Sequence, residues 1–458
     1  MPTIRELADA VRARRVGAHE LVARSLRRIE TLDPDIGAVV ALRAEEALDE
    51  AIGLDAHLAA GGDAGPLAGL PLLVKDITDV AGMRTTHGSL LYADAPAAAT
   101  DALVVARLRA AGAIVVGKAN APEFACAGYT ANLVFGPTRN PWNLERTPGG
   151  SSGGSAAALA AGMVSIATAT DTGGSIRIPA AYCGLVGLKP TNGTIPRDPA
   201  ARVMDWIDMT TDGPLGLTVD DVRLQLAVLA GTGPIEPSGA PSRLFVLDRW
   251  VPRMPLPAED ATLFEAAVAV LAAEMGLEPE RPDVSELFHG VDLDVDWSLI
   301  AAPELVGILG GRAAFEAVAE RLDPGTAAFA AWGADIAIDA YLAARRRRAA
   351  LTDALAGLLG DDGIVVSPTM CADAPPAAGP EPPGADVEIG LYDNTVPQNL
   401  TGFPAISLPA GVHASGVPFG LQLTAPPSRE DLLLSVAEAW ERARPWPATA
   451  PGYEPLAP

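Results

Sequence analysis

Residues 147–177 read TPGGSSGGSAAALAAGMVSIATATDTGGSIR, and the rest of the chain is interpreted outward from this stretch. It holds a glycine-serine loop at 148–155, an alanine-rich helix pattern, a short β-branched run at 164–170 and a second glycine-serine loop at 171–175. Glycine adopts positive φ at little cost and places no side chain between a neighbouring serine hydroxyl and an incoming molecule. Two serines presented in this way are candidates for a nucleophile.

A lysine precedes this stretch at the end of an apolar run. The segment Leu70-Pro71-Leu72-Leu73-Val74 predicts a buried strand over 70–75, with Lys75 at its end. Such a lysine must find a partner or lose its proton, because an isolated charge is costly to bury. Taken alone, the lysine is best interpreted as part of a structural ion pair with Asp76.

Together these motifs resemble the amidase signature family, whose members use a Ser–cis-Ser–Lys triad. The lysine motif is PLLVKD at 71–76, the cis-serine motif is GGSSGGS at 149–155, and the nucleophile motif is DTGGSIR at 171–177. Similar stretches lie at 120–124, 136–142, 183–191, 399–405 and 420–423, so the resemblance covers most of the chain. It implies an α/β fold with a large mixed, mostly parallel central β-sheet covered by helices on both faces.

The resemblance assigns the triad to Lys75, Ser151 and Ser175. Ser175 would be the nucleophile, and Ser151, after a cis peptide bond, would pass a proton to Lys75. Lys75 can act as a base only when neutral, and burial can lower a lysine pKa by several units from its usual value of about 10.4. The five histidines lie outside both serine loops, and His87 is the one retained as an alternative base.

Backbone and side-chain groups around Ser175 are predicted to support this chemistry. If the second loop makes a tight turn, four backbone N–H groups would converge as an oxyanion hole, namely those of Thr172, Gly173, Gly174 and Ser175. Asp171 and Arg177 are expected to brace this loop rather than to touch substrate. Ser152 and Ser155 are expected to form local hydrogen bonds.

The substrate pocket is the least determined part of the site. Tyr129, Phe135, Trp206, Tyr392 and Phe403 are candidates for its lining, although each is equally compatible with a core position. Residues 250–345 carry no family motif and are expected to shape the pocket. The arginine run at 345–348 is interpreted as a solvated helix face, with an anion site as the alternative.

Length, motifs and charge indicate the class of protein. We expect 1–458 to form a single amidase signature domain, with the catalytic motifs at 60–232. The 33 basic and 57 acidic residues give a net charge of −24, which disfavours binding to nucleic acid or to an anionic membrane. The absence of a signal-peptide pattern and of an apolar run of about 20 residues favours a cytoplasmic location.

Cysteine, metal-ligand and glycine-loop patterns narrow the chemistry further. Three cysteines without CxxC spacing, Cys126, Cys183 and Cys371, predict a reducing compartment and no disulfide framework. No metal site or organic cofactor is expected, because no His/Cys/Asp cluster has ligand spacing. The first serine loop lacks a following Gly-Lys-Ser/Thr, which disfavours a phosphate-binding loop. The expected partner is a small-molecule substrate, and a homodimer is a hypothesis that the sequence does not test.

Two functions remain open at this point, and a catalytically silent binding protein is a third that the intact triad disfavours. The first is an amidase acting on a small amide, anilide or carbamate, with urethane or ester cleavage by the same triad. The second is the A subunit of a tRNA-dependent amidotransferase, which releases ammonia from glutamine for its partner subunits. Tyr392 stands where such a protein would carry an acidic residue, although Asp393 is adjacent.

Overall fold

The computed structural model describes residues 3–196, 209–251, 255–287, 291–379 and 393–457. Two of the predicted pocket residues, Trp206 and Tyr392, lie outside the described residues. The strands are β1 Val39–Leu42, β2 Pro71–Lys75, β3 Ile114–Ala119, β4 Ile166–Ala167, β5 Ala169–Asp171, β6 Val186–Lys189, β7 Thr211–Gly213, β8 Leu215–Gly216, β9 Leu244–Val246, β10 Pro279–Glu280, β11 Ile364–Pro368, β12 Ala405–Val412 and β13 Pro418–Thr424.

Helices follow most of these strands along the chain. They are α1 Ile4–Arg12, α2 Ala18–Ile36, α3 Ala44–Ala59, α4 Leu103–Ala110, α5 Gly153–Ala160, α6 Arg177–Cys183, α7 Val219–Ala230, α8 Ala258–Met275, α9 Val284–Leu287, α10 Leu293–Ile308, α11 Arg312–Val318, α12 Pro324–Asp335, α13 Ile338–Leu359, α14 Val396–Thr401 and α15 Glu430–Ala443. Helices α8 to α13 occupy most of the stretch 250–345, which carries no family motif.

Most of the strands form two adjoining mixed sheets, and β5 and β7 pair as a separate two-stranded sheet; this arrangement confirms the α/β class. A four-stranded sheet has the order β1-β3-β2-β4, and a seven-stranded sheet has the order β10-β9-β11-β13-β12-β6-β8. Their end strands β4 and β8 contact each other. The pairs formed by β2 with β3 and β4, and by β9 with β10 and β11, are parallel.

The strand directions are less parallel than expected from the sequence. The pairs β11–β13, β12–β13, β12–β6 and β6–β8 are all antiparallel. The reason lies in the connections: β12 and β13 are joined by a short turn at 413–417, and a connection of that length permits only antiparallel pairing. The parallel pairs β2–β3 and β2–β4 belong to the first half of the chain.

Local signals place several helix ends where the sequence predicts them. Thr3 accepts a hydrogen bond from the Glu6 N–H while the Glu6 side chain accepts one from the Thr3 N–H, and together these bonds form a capping box at the start of α1. Pro34 does not end α2 at once, since α2 continues to Ile36 and ends at Gly37 in the left-handed region. Asp33 instead accepts from the N–H groups just beyond the helix end.

Two apolar clusters hold the elements around the serine loops. One cluster includes Leu7 of α1, Leu72 of β2, Leu408 of β12 and Leu433 of α15, so it joins the two ends of the chain to both sheets. The other lies under α10 to α14 and includes Phe403. Burial of this apolar surface is the main driving force that fixes both loops to one place in the fold.

The arginine run at 345–348 connects helices rather than forming a fully solvated face. Arg347 donates from Nε to both carboxylate oxygens of Asp296 at 2.9 and 3.0 Å, and the Asp296 side chain is only 1% exposed. Arg348 donates to the carbonyl of Leu400 in α14. Arg346 alone is exposed. The expectation of a solvated face is therefore wrong for Arg347 and Arg348, because acidic and carbonyl acceptors from α10 and α14 meet them.

Within the described ranges, no single helix is both long and apolar enough to span a bilayer. Two bent pairs of helices, 293–308 with 312–321 and 324–335 with 338–359, pass the same length and composition test only as pairs.

Candidate active site

Lys75 ends β2, between its parallel neighbours β3 and β4, and its side chain is fully buried. Its Nζ lies 2.7 Å from Ser151 Oγ, 2.9 Å from Ser152 Oγ and 2.9 Å from Thr170 Oγ1. Three hydroxyls therefore replace the water that burial removes. The ion pair that the lysine suggested when taken alone is absent, because Asp76 pairs with Lys118 at 3.1 Å.

The three hydroxyls around Lys75 differ in where their protons can go. Ser152 Oγ donates to the carbonyl of Thr170 at 3.3 Å, so it accepts from Lys75 and from the Thr170 N–H. A neutral lysine amine has one lone pair, which needs a donor. Ser151 and Thr170 are the hydroxyls left to supply this donor, and of these two only Ser151 belongs to the predicted triad. Ser152 is thus a lysine partner as well as a locally bonded residue, whereas Ser155 donates only to Thr168 at 2.8 Å, as expected.

Burial lowers the pKa of Lys75 towards neutral pH. Desolvation lowers the pKa of Lys75 to about 7, against the opposing attraction of Asp171 and Asp212. About half of the molecules then carry a neutral amine at pH 7. A group with its pKa near the working pH combines a useful neutral fraction with good proton affinity, which suits a general base.

The first serine loop is held close to strand β3 and to the chain around Tyr129. The Gly150–Ser151 peptide bond is cis, and Ser151 is fully buried. A Cβ at Gly154 would lie 2.5 Å from the backbone N and O of Asn120, so the start of α5 requires glycine there. A Cβ at Gly150 would lie 2.4 Å from the Tyr129 carbonyl.

Ser175 lies between β5 and α6 and is half-buried, unlike the fully buried Ser151. The Ser152 N–H donates to the Ser175 carbonyl at 3.3 Å, which joins the two serine loops directly. The structure therefore brings the three residues of the predicted triad into one region. Ser175 is the member that solvent reaches.

Asp171 and Arg177 brace the second loop, as expected. Arg177 donates from Nε and Nη2 to the two Asp171 oxygens at 3.0 Å each, and both side chains are fully buried. Asp171 also accepts from the N–H groups of Gly174 and Ile176. Burial alone would raise the pKa of Asp171, but the Arg177 guanidinium outweighs it and lowers the pKa to about 2. Further Arg177 acceptors come from Thr395, Gln398, Asn399 and Gln422.

Replacement of Arg177 by methionine is expected to lower the free energy of unfolding by about 3–5 kcal/mol, because it leaves a buried carboxylate without its partner. Chemical denaturation at pH 7 measures this change. Arg281→Met is the matched control, since Arg281 pairs with Asp248 and Glu265 while about half exposed. The control should change stability far less. A loss below about 1 kcal/mol for Arg177→Met would contradict the bracing role.

One of the four predicted oxyanion donors has another partner. The Gly174 N–H donates to Asp171 Oδ1 at 2.7 Å, because the carboxylate that braces the loop lies directly beside it. The oxyanion prediction is therefore corrected to the N–H groups of Thr172, Gly173 and Ser175. The carbonyls of this loop are also held: Trp297 Nε1 donates to Thr172 O at 2.9 Å, and Thr395 Oγ1 donates to Gly173 O at 2.7 Å.

The described pocket candidates lie in three different settings. Tyr129 is half-buried beside the cis-serine loop, and a Cβ at Gly379 would lie 2.6 Å from its ring. Phe135 is 40% exposed on a surface turn, where its N–H donates to Asn132. Phe403 is 1% exposed and belongs to the apolar cluster under α10 to α14, so it is a core residue rather than an exposed wall.

The alternative base and the thiols are held in environments that keep them neutral at pH 7. Burial lowers the pKa of His87 to about 4, and its ring packs against Tyr92 and Phe124 rather than against a serine. Burial raises the pKa of Cys371 to about 12 and raises those of Cys126 and Cys183 as well. Neutral thiols are poor nucleophiles.

Sequence reasoning missed the groups that reach the site from distant parts of the chain. Trp297 comes from the stretch without motifs, and nothing in its local sequence indicates a contact with Thr172. Thr395 could have been noticed, because it lies four residues before the 399–405 motif. Thr170 lies in the β-branched run itself, where its position next to Asp171 was the available signal.

The chain is similar to known proteins over nearly its whole length. The family model described as Amidase matches residues 20–246 and 256–434. The AmiB2 amidase homologue of Mycobacterium tuberculosis is 37% identical over 437 residues, covering 92% of this chain and 91% of that protein. A solved bacterial aryl acylamidase of the amidase signature family aligns with a TM-score of 0.86 at 26% identity, covering 97% of this chain and 96% of that chain.

A second solved relative belongs to the other functional class. The glutamyl-tRNA(Gln) amidotransferase A subunit from Thermotoga maritima aligns with a TM-score of 0.77 at 29% identity, covering 98% of this chain and 96% of that chain. The matches extend over nearly the whole chain and include the lysine motif and both serine loops. The chain therefore belongs to the amidase signature family and is an enzyme that hydrolyses carbon–nitrogen bonds other than peptide bonds.

Proposed function

We propose that this chain is a self-sufficient amidase that cleaves the C–N bond of a small amide, anilide or carbamate through an acyl-enzyme on Ser175. The observation that carries the proposal is the buried Lys75 amine, which has a pKa of about 7 and lies 2.7 Å from Ser151 Oγ. A neutral amine in contact with a serine hydroxyl can start a proton relay without histidine.

Acylation begins with proton transfer along this relay. Ser175 Oγ attacks the substrate carbonyl carbon and gives its proton to Ser151, which passes its own proton to Lys75. The carbonyl oxygen becomes an oxyanion that accepts from the loop N–H groups of Thr172, Gly173 and Ser175. The tetrahedral intermediate then collapses, the C–N bond breaks, and the proton returns from Lys75 through Ser151 to the leaving nitrogen.

Deacylation uses the same groups in the same order. Water attacks the acyl carbon and gives a proton to the relay, and the Ser175 oxygen takes a proton back as the acid leaves. A carbamate cleaved at its C–N bond gives an alkoxycarbonyl-enzyme, which releases a carbonic half-ester that loses carbon dioxide. A carbamate cleaved instead at its leaving oxygen gives a carbamoyl-enzyme, which releases a carbamic acid that loses carbon dioxide. An amide, a carbamate and an ester therefore need only one triad, because each passes through an oxyanion at an acyl carbon.

The surroundings of the loop favour an uncharged substrate over glutamine. Trp297 packs over Gly173, and its ring stacks on Phe329 at 6.1 Å between centroids. Asp393, adjacent to the position where a glutamine-binding relative would carry an acid, is paired with Arg249 at 3.3 Å and is fully buried. An amino acid substrate would need accessible charges for its two ends, whereas an apolar acyl group fits beside aromatic rings.

The alternative function is the A subunit of a tRNA-dependent amidotransferase. The full-length match to the Thermotoga maritima protein supports this alternative. The full-length match to the aryl acylamidase, with a TM-score of 0.86, supports the self-sufficient amidase.

Product release by the purified chain alone tests the choice between these functions. The panel is glutamine, primary aliphatic and aryl amides, an anilide and an aryl carbamate. We expect ammonia or amine from the small acyl compounds and far less from glutamine. The proposal would be contradicted if no compound of the panel released a product, or if ammonia were released from glutamine only when amidotransferase partner subunits are added.

A further inference from the structure

The two peptide planes at the centre of the second serine loop are each held from outside the loop. In a planar trans peptide the C=O and N–H groups point in opposite directions. The Gly173–Gly174 peptide follows this geometry: its carbonyl accepts from Thr395 Oγ1 at 2.7 Å, and its N–H donates to Asp171 at 2.7 Å. This plane is fixed at both ends by protein groups.

In the preceding peptide, Thr172–Gly173, a protein group among the described residues holds the carbonyl but not the N–H. The Thr172 carbonyl accepts from Trp297 Nε1 at 2.9 Å, and the N–H of the same peptide, which belongs to Gly173, points to the opposite side. Gly173 is one of the three predicted oxyanion donors that remain once Gly174 is assigned to Asp171. The direction of this N–H therefore depends on the indole of Trp297.

The start of α10, which carries Trp297, is fixed by contacts of its own, and the Trp297 ring packs against further residues. Asp296, the preceding residue, is buried and paired with Arg347 of α13. Asp292 caps the start of α10 by accepting from the Val295 N–H at 3.2 Å. The Trp297 ring stacks on Phe329 of α12 and lies over Gly173, where an added Cβ would be 3.3 Å from the indole. A side chain fixed in this way can hold a peptide plane at a set angle.

We propose that Trp297 is a positioning residue of the oxyanion hole, which it serves by orienting the Gly173 N–H through the Thr172 carbonyl. The inference rests on the proposed acyl-enzyme function, because an oxyanion forms only if Ser175 attacks a carbonyl. The stretch 250–345 would then have a second role besides shaping the pocket, because α10 supplies the hydrogen bond from Trp297 to the Thr172 carbonyl, for which the second serine loop has no donor of its own.

The test replaces the indole by a ring without the donor. Trp297→Phe keeps an aromatic side chain and removes the N–H, and Trp332→Phe makes the same change in a tryptophan of α12 that is 44% exposed and lies next to Phe329. For an anilide substrate, Trp297→Phe should lower kcat by about 10- to 100-fold, below the effect of deleting an oxyanion donor outright. KM should change by less than about threefold, since the hydrogen bond acts on the transition state rather than on substrate binding.

Labelling by a fluorophosphonate gives a second readout. Its phosphoryl oxygen must also be stabilised, so the rate of labelling of Trp297→Phe should fall in parallel with kcat, while Trp332→Phe stays within about twofold of wild type. Expressing kcat per labelled site removes any contribution from misfolded protein. Unchanged kcat per site, or a rise in KM without a fall in kcat, would overturn the inference and leave the proposed function standing. A wild-type enzyme that neither turns over the panel nor reacts with the fluorophosphonate would overturn both.

Discussion

Replacement of Ser175 by alanine is expected to lower kcat at least about 10⁴-fold on any substrate that the wild-type enzyme hydrolyses. Removing a nucleophile disables its whole relay, so the loss approaches that of removing all the relay residues together. Ser175 is half-buried at the end of a braced loop, and alanine removes only its hydroxyl, so the fold should be kept. Initial rates with an anilide, together with the thermal unfolding midpoint, measure both points.

Ser155→Ala is the matched control for this variant. Ser155 lies in the first serine loop, and its hydroxyl donates to the Thr168 carbonyl without taking part in the relay. Its kcat should stay within about threefold of wild type, whatever small change in stability follows from the lost hydrogen bond. If Ser175→Ala retained more than a few per cent of wild-type activity, Ser175 could not be the nucleophile.

Replacement of Lys75 by methionine is expected to lower kcat/KM by about 10²- to 10⁴-fold, the usual contribution of a general base. Methionine has a similar length and suits a fully buried site, but it leaves Ser151 without a proton acceptor. Steady-state kinetics on the same anilide measure the loss. Comparable rates in the variant and the wild type would contradict the assignment of Lys75 as the base.

The wild-type enzyme should show the titration of Lys75 in its pH profile. Because only the neutral amine accepts a proton, kcat/KM should rise with pH through about 7 and then level off. Lys189 is also buried, and desolvation lowers its pKa to about 7, so the profile alone does not identify the lysine.

The pH dependence of the difference in free energy of unfolding between wild type and Lys75→Met identifies the lysine that titrates. Between pH 7 and 10.5 the unfolded chain keeps a proton on Lys75 that the folded protein has released. The unfolded state then binds more protons, so wild-type stability should rise relative to the variant by up to about 1.4 kcal/mol per pH unit in that window. Lys189 is present in both proteins and cancels. A pH-independent difference would show that Lys75 is not the group with the lowered pKa.

Signals that lie within a few residues of each other predicted much of the fold. The capping box at Thr3 and Glu6, the bounds of α3 and the end of α7 at Gly231 all follow from local sequence. The direction of the strands in the larger sheet did not follow, since it depends on which segments pair across the chain. Pro34 lies in the last turn of α2, which ends two residues later at Ile36, so this proline marks the helix end to within two residues.

The candidate site shows the same difference between residues that local sequence predicts and contacts that depend on distant parts of the chain. The lysine and the two serine loops are visible as motifs because the chemistry restricts the residues at those positions. The supporting contacts of Trp297 and Thr395 were not visible, because they join the second serine loop to residues more than a hundred positions later. Arg347 was misjudged for the same reason: its partner Asp296 belongs to another helix.

The covalent intermediate on Ser175 is the most direct test of this account. The enzyme would be mixed with an aryl carbamate whose carbamoyl-enzyme hydrolyses slowly, quenched in acid and digested with trypsin. Cleavage after Arg146 and Arg177 gives a peptide of residues 147–177 that holds both serine loops, and its fragmentation in a mass spectrometer distinguishes Ser151 from Ser175. We predict one carbamoyl group, located on Ser175. A carbamoyl group on Ser151 or on a cysteine, or turnover without any adduct, would contradict the proposed mechanism.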